Sequence, residues 1–148
     1  MLKRSVTSNK PATSYPTVGK GASVDIMTAA CVSELMNAAT SIHKLHLKIT
    51  GTGSYAAHKA LNELYDALPG HADNLAEGYQ GATEKLLSYT ESSPKVLNTV
   101  SEALDYIREI CDMVCGLQDK MPYSEIVNDL DTIKSTLNSV KYKLLFLK

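Results

Sequence analysis

Between Ser124 and Lys148 the large aliphatic residues Ile126, Leu130, Ile133, Leu137, Val140, Leu144 and Leu147 stand alternately four and three positions apart. An α-helix turns once in 3.6 residues, so this alternation lays all of them along one stripe, and so long an apolar stripe is buried only against other helices. Three more segments share the period. Val24, Met27, Cys31, Leu35, Ala38, Ile42 and Leu45 mark the first, with Ser23 as its expected N-cap and Asp25 in its first turn. Gly51 and Gly53 are expected to end that helix and allow a short turn, and Ser54 to start the second, with stripe Leu61, Leu64, Leu68, Ala72, Leu75 and Tyr79. After the polar stretch "SYTESS", Ser93 and Pro94 predict the cap and first position of a third helix carrying Leu97, Val100, Leu104, Ile107, Cys111 and Val114. Pro122 interrupts, and Ser124 is the expected cap of the fourth. The pattern therefore predicts an all-α four-helix bundle over residues 23–148. Pro69 should kink the second helix without breaking it, because the stripe continues in phase beyond it.

The chain has 148 residues, which suits one domain, and with no Trp and a single Phe its core must be aliphatic. No run approaches the ~20 apolar residues needed to span a bilayer, and "MLKRSVTSNK" lacks the apolar stretch of a secretory signal, so a soluble cytoplasmic protein without membrane contact is expected. An odd number of cysteines makes no disulfide framework, and all three are read as reduced. Residues 1–22 hold Lys3, Arg4, Lys10 and Lys20, no acid, and much Ser, Thr, Pro and Gly, which predicts a flexible basic tail. It suits either neutralisation of DNA phosphates or a solubilising extension.

His46 and His58 flank the Gly-Thr-Gly break in "HLKITGTGSYAAH", which should bring them side by side at a helix–helix corner. On the second helix His58, Asn62, Asp73 and Glu77 fall on one stripe, within about 100° of one another. Asp73 nevertheless lies about 22 Å along the axis from His58, so one helix cannot bring both to one ion. A second copy running antiparallel across a two-fold axis could supply Asp73 and Glu77. Imidazole and carboxylate together suit iron, zinc or manganese. The alternative is that the histidines are surface residues and the acids ordinary solvated charges.

The stretch "HLKITGTGSYAAHKALNELYDALPGHADNLAE" resembles the signature region of Dps proteins, the mini-ferritins of starved cells. The likeness lies in the histidine ending the first helix, the glycine five residues on, the second histidine twelve on, and the "HADNLAE" ending. The resemblance implies a ferritin-like bundle, a hollow homo-oligomer of twelve, and ferroxidase sites between two-fold-related subunits. There Fe(II) would be oxidised, preferably by hydrogen peroxide, and stored as Fe(III), which protects DNA. It also implies His46 and His58 as ligands from one chain and Asp73 and Glu77 from its neighbour, with Glu77 bridging, and a nucleoid association through the tail. Two departures stand out: Asn62 occupies a position usually held by Asp, and Leu47 one often held by Trp, for which Tyr55 or Tyr65 could substitute. His43 is a candidate partner of His46, and His71 is expected to orient a carboxylate. The departures also motivate two other readings, a structural cage or virion- or nucleoid-associated scaffold with a decayed site, and a mononuclear metal-binding protein without turnover.

Overall fold

The computed structural model describes residues 23–148; the tail, with Lys3, Arg4, Lys10 and Lys20, lies outside the described residues. Four helices form as the stripes require: α1 (Val24–His46), α2 (Ser54–Thr83), α3 (Val100–Gln118) and α4 (Ser124–Phe146). Ser23 caps α1, its hydroxyl accepting from the Ile26 amide at 3.3 Å. The helix stops earlier than its glycines suggested, at His46, where the Leu47 amide closes onto the carbonyls of His43 and Leu45. Gly51 and Gly53 shape the turn instead, with φ of 94° and 78°, and Gly53 takes the N-cap position of α2 in a left-handed conformation that a side chain would disfavour. Pro69 sits inside an unbroken α2, on its exposed side, where water can serve the carbonyl that proline leaves without an amide donor.

Two expected starts are corrected. α3 begins not at Ser93-Pro94 but at Val100, capped by Thr99, whose hydroxyl accepts from the Glu102 amide at 3.1 Å while the Glu102 carboxylate accepts from the Asn98 amide at 2.6 Å. This reciprocal arrangement satisfies two orphan donors, which an isolated Ser-Pro cannot do. Ser124 is the first helical residue of α4 and not its cap; Tyr123 holds the capping position and gives no side-chain bond.

Lys48, Ser54, Thr99 and Leu144 line one depression, so the end of α1, the starts of α2 and α3 and the end of α4 lie at the same end of the bundle. α2 and α3 therefore run parallel, with α1 and α4 antiparallel to them. α1 and α4 each pack on both α2 and α3, which places α2 and α3 on the diagonal. Residues 84–99 must then return the length of the bundle, the single long crossover of ferritin-like bundles. The crossover is fastened over the α1–α3 groove: Asn37 donates to the Ser92 hydroxyl at 2.7 Å, and Lys95 pairs with Glu109 with its ammonium 4.6 Å from the centre of the Tyr106 ring. The Tyr106 hydroxyl donates in turn to Glu34, a carboxylate buried in the bundle. A buried charge is tolerable only with such partners. Burial, with Glu34 adding, pushes the nearby Cys31 thiol up to about 12, and all three cysteines are free.

Candidate metal centre

The α1–α2 corner places His46 in the last turn of one helix and His58 in the second turn of the next, and their rings stack with centroids 3.8 Å apart and planes 21° from parallel. His58 Nδ1 lies 3.0 Å from the His46 carbonyl oxygen. A carbonyl only accepts, so Nδ1 carries a proton, and the tautomer this selects has its lone pair on Nε2. His46 is 7% exposed, and neither of its ring nitrogens has a hydrogen-bond partner. Burial lowers its pKa, neighbouring His58 and His43 lower it further, and the His43 carbonyl and Asp66 oppose without making a hydrogen bond to the ring. The neutral imidazole, the form that binds metal, is favoured.

Two more rings close the corner. Tyr65 stacks on His43 with centroids 3.9 Å apart and planes 11° from parallel, and presents its edge to His46 at 5.0 Å. His43 in turn lies 5.6 Å from His46 between centroids. Tyr65 thus lies against the histidines, whereas Tyr55 is 76% exposed. Asn62 stands between Tyr65 and Asp66: its amide oxygen accepts from the Tyr65 hydroxyl at 2.8 Å and its amide nitrogen donates to Asp66 at 2.7 Å. Asn62, on the stripe of the expected ligands at the position usually held by Asp, is therefore already engaged, with one carbonyl lone pair to offer a metal. Its spacing from His58 is legible in sequence; its partners, one and a half turns of coupled side chains, are not.

Asp73 and Glu77 are exposed on later turns of α2. The structure brings His46 and His58 together and leaves the two acids as a separate pair, and among the described residues no three side chains of His, Cys, Asp or Glu converge on one point. His71 does not orient a carboxylate as expected: its Nε2 lies 2.9 Å from the Thr136 hydroxyl of α4, and burial lowers its pKa while Asp129 opposes. The donors of the corner fit a borderline divalent ion in chemistry, two imidazoles each with a ring nitrogen left for coordination, but a carboxylate must come from elsewhere.

The chain is similar to an uncharacterized 14.6 kDa protein in the mobD-ri intergenic region of Enterobacteria phage T4, with 30% identity over 110 residues, covering 74% of this chain and 81% of the relative. No solved structure matches it. No helix among the described residues is long and apolar enough to cross a membrane. The model of a family of unknown function, DUF5856, matches residues 46–144, from His46 at the end of α1 to the last turn of α4, and the chain belongs to that family.

Proposed function

We propose that the chain is a mini-ferritin-type ferroxidase. His46 and His58 of one copy and Asp73 and Glu77 of a two-fold-related copy take up Fe(II) as substrate, and Fe(III) is stored inside a closed homo-oligomer of twelve. The observation that carries this reading is a nine-tenths-buried His46 with both ring nitrogens bare beside a His58 whose Nδ1–H is already committed to a backbone carbonyl. Metal-binding histidines are commonly oriented by such a second bond, and a buried imidazole without partners costs free energy unless something binds it. The exposure of Asp73 and Glu77 leaves both free to meet a neighbour. In the reaction two Fe(II) ions give one electron each, the O–O bond of hydrogen peroxide takes both, and its oxygens leave as water after protonation, so hydroxyl radical is not released. Zinc or manganese would compete for the same donors. The basic tail would hold the cytoplasmic shell near DNA phosphates, several copies adding avidity.

Anaerobic titration with Fe(II), followed by peroxide while ferric absorbance is recorded, tests the reading. Saturable binding and fast oxidation that Glu77→Ala abolishes are expected; no saturable binding would overturn it. A second reading, a structural cage or virion- or nucleoid-associated scaffold, is favoured by the commitment of Asn62 to Tyr65 and Asp66. It predicts an intact assembly that neither binds iron saturably nor oxidises it.

A further inference from the structure

Two of the three cysteines, Cys111 and Cys115, stand one turn apart on α3, the first partly buried against the core and the second exposed. With Gln118 they fall four and three positions apart, on one stripe of the helix, and the bonds of Gln118 mark that stripe as the edge that meets α4. We propose that Cys111 and Cys115 form a dithiol that hydrogen peroxide oxidises to a disulfide within the chain, and that closing it unwinds the last turn of α3. The inference needs neither a metal nor a neighbouring copy, so it stands apart from the iron reading.

Side chains one turn apart on a helix have Cβ atoms about 5–6 Å apart, whereas a disulfide needs about 3.5–4.5 Å. The two sulfurs can therefore meet, but a regular helix cannot hold the bond between them, and its backbone must give by roughly 1–2 Å. Before Cys111 the helix is pinned by the buried side chains of Ile107 and Ile110. After Cys115 only one turn remains, ending at Gln118, with the Asp119 amide closing onto the Cys115 carbonyl at 3.0 Å. Gly116 follows Cys115 directly; glycine is the weakest helix former after proline, and nothing outside its own helical turn lies within 4 Å of where its Cβ would stand. The strain of closure is thus relieved in residues 115–118. Gln118 rides on that turn: its Nε2 donates to the Val127 carbonyl at 3.2 Å and to Asp131 at 2.8 Å, and its side-chain oxygen accepts from Lys134. Oxidation of the pair is thereby passed to the α3–α4 seam.

Exposure sets the order of the chemistry. Peroxide reaches Cys115 first: the thiolate attacks one oxygen, an S–O bond forms as the O–O bond breaks, and the other oxygen leaves as hydroxide and is protonated to water, which turns Cys115 into a sulfenic acid. The Cys111 sulfur then attacks the Cys115 sulfur; the S–S bond forms, the S–O bond breaks, and the hydroxide leaves as water with the proton that Cys111 gives up. Two thiols and one peroxide become one disulfide and two waters. Burial raises the pKa of Cys111, Cys115 and Asp112 add to it, and Lys141 and Lys134 of α4 oppose, so the attacking thiol has two cations at hand to steady its thiolate.

The test uses the full chain, freed of metal so that iron consumes no peroxide, treated with hydrogen peroxide and digested without reductant; trypsin releases residues 109–120 as one peptide holding both cysteines. In the wild type that peptide should lose two hydrogens and regain them with dithiothreitol, while oxidation of Met113 in the same peptide adds oxygen and is read separately. Cys111→Ser should stop at a Cys115 sulfenic acid that dimedone captures, and Cys115→Ser should consume peroxide at least about 10-fold more slowly. Amide exchange over residues 115–121 should quicken about 10-fold or more in the oxidised wild type and return on reduction. Wild-type Cys115 carried on to sulfinic acid, or joined to another chain, with no loss of hydrogen within the peptide, overturns the dithiol. A disulfide formed with unchanged exchange over that turn overturns the unwinding. Both decisive readings are taken on the wild type, so neither depends on a variant that folds.

Discussion

Asn62 is the residue on which the chemistry of the corner turns. If the proposed shared iron site exists, replacing Asn62 by Asp supplies an anionic oxygen there, so Asn62→Asp should raise second-ion occupancy and the rate of peroxide-driven oxidation. The same change removes an N–H donor 2.7 Å from Asp66 and sets two carboxylates face to face, one of which must take up a proton or move away. The metal-free variant should lose about 1 kcal/mol of stability, and added Fe(II) should restore it. Melting curves with and without metal, beside metal-soaked crystals, check both halves; unchanged melting and unchanged occupancy would remove Asn62 from the account. His71 gives a separate, pH-dependent handle. Burial lowers its folded pKa, so as pH falls below its ordinary value of about 6.5 the unfolded chain takes up a proton before the folded chain does. Its share of stability is full above that pH and declines on acidification, and His46, lowered for the same first reason, acts in the same direction. Urea midpoints of the metal-free protein should fall from about pH 7.5 to about pH 5.5, and His71→Gln should flatten part of that fall.

At the scale of the helices, the start of α3 shows what a sequence reader can and cannot weigh. Ser93-Pro94 has the right composition for a start, but Thr99-Val100-Ser101-Glu102 is the stronger signal, because Ser or Thr followed three positions later by Glu lets both side chains satisfy backbone amides. Thr99→Ala should cost about 1 kcal/mol, whereas Ser93→Ala, at an exposed position outside the helix, should be neutral within about 0.5 kcal/mol in chemical denaturation. Equal effects at the two sites would mean that α3 starts earlier. The stripes of α2 and α4 were legible because every residue named on them, except Leu147 beyond the end of α4, is buried. The face of α3 was only partly legible. Its buried side runs through Ala103, Tyr106, Ile107, Ile110, Val114 and Leu117, turned from the expected stripe because Tyr106 and its hydroxyl are drawn in by Glu34. A Glu inside the first helix of a bundle reads as a solvated charge until its partner on another helix is known.

For the whole molecule, the histidine corner was legible because twelve residues with two glycines between them can only fold back, but the destination of Asp73 and Glu77 is not a property of one chain. If these acids do complete a neighbour's site, mass measurement at micromolar concentration should find a closed oligomer near twelve copies; a stable monomer would exclude the shared site. The crossover of residues 84–99 has a further consequence, for the order of folding. Each chain is two antiparallel helical hairpins, α1–α2 and α3–α4, whose contacts are local in sequence, joined by a tether that runs the length of the bundle. Local hairpins form early, because little chain must be closed to make them, while Glu34 and Tyr106 must meet across the tether. Tyr106→Phe, which takes one donor from a buried carboxylate, should therefore destabilise the chain by about 1–3 kcal/mol almost wholly through faster unfolding, with the refolding rate unchanged. A slowed refolding limb would show instead that the two hairpins dock before either is complete. Two chains folding side by side also meet a choice that one chain alone does not: an α3–α4 hairpin on so long a tether finds the same docking surface on its neighbour as on itself, and concentration decides between them.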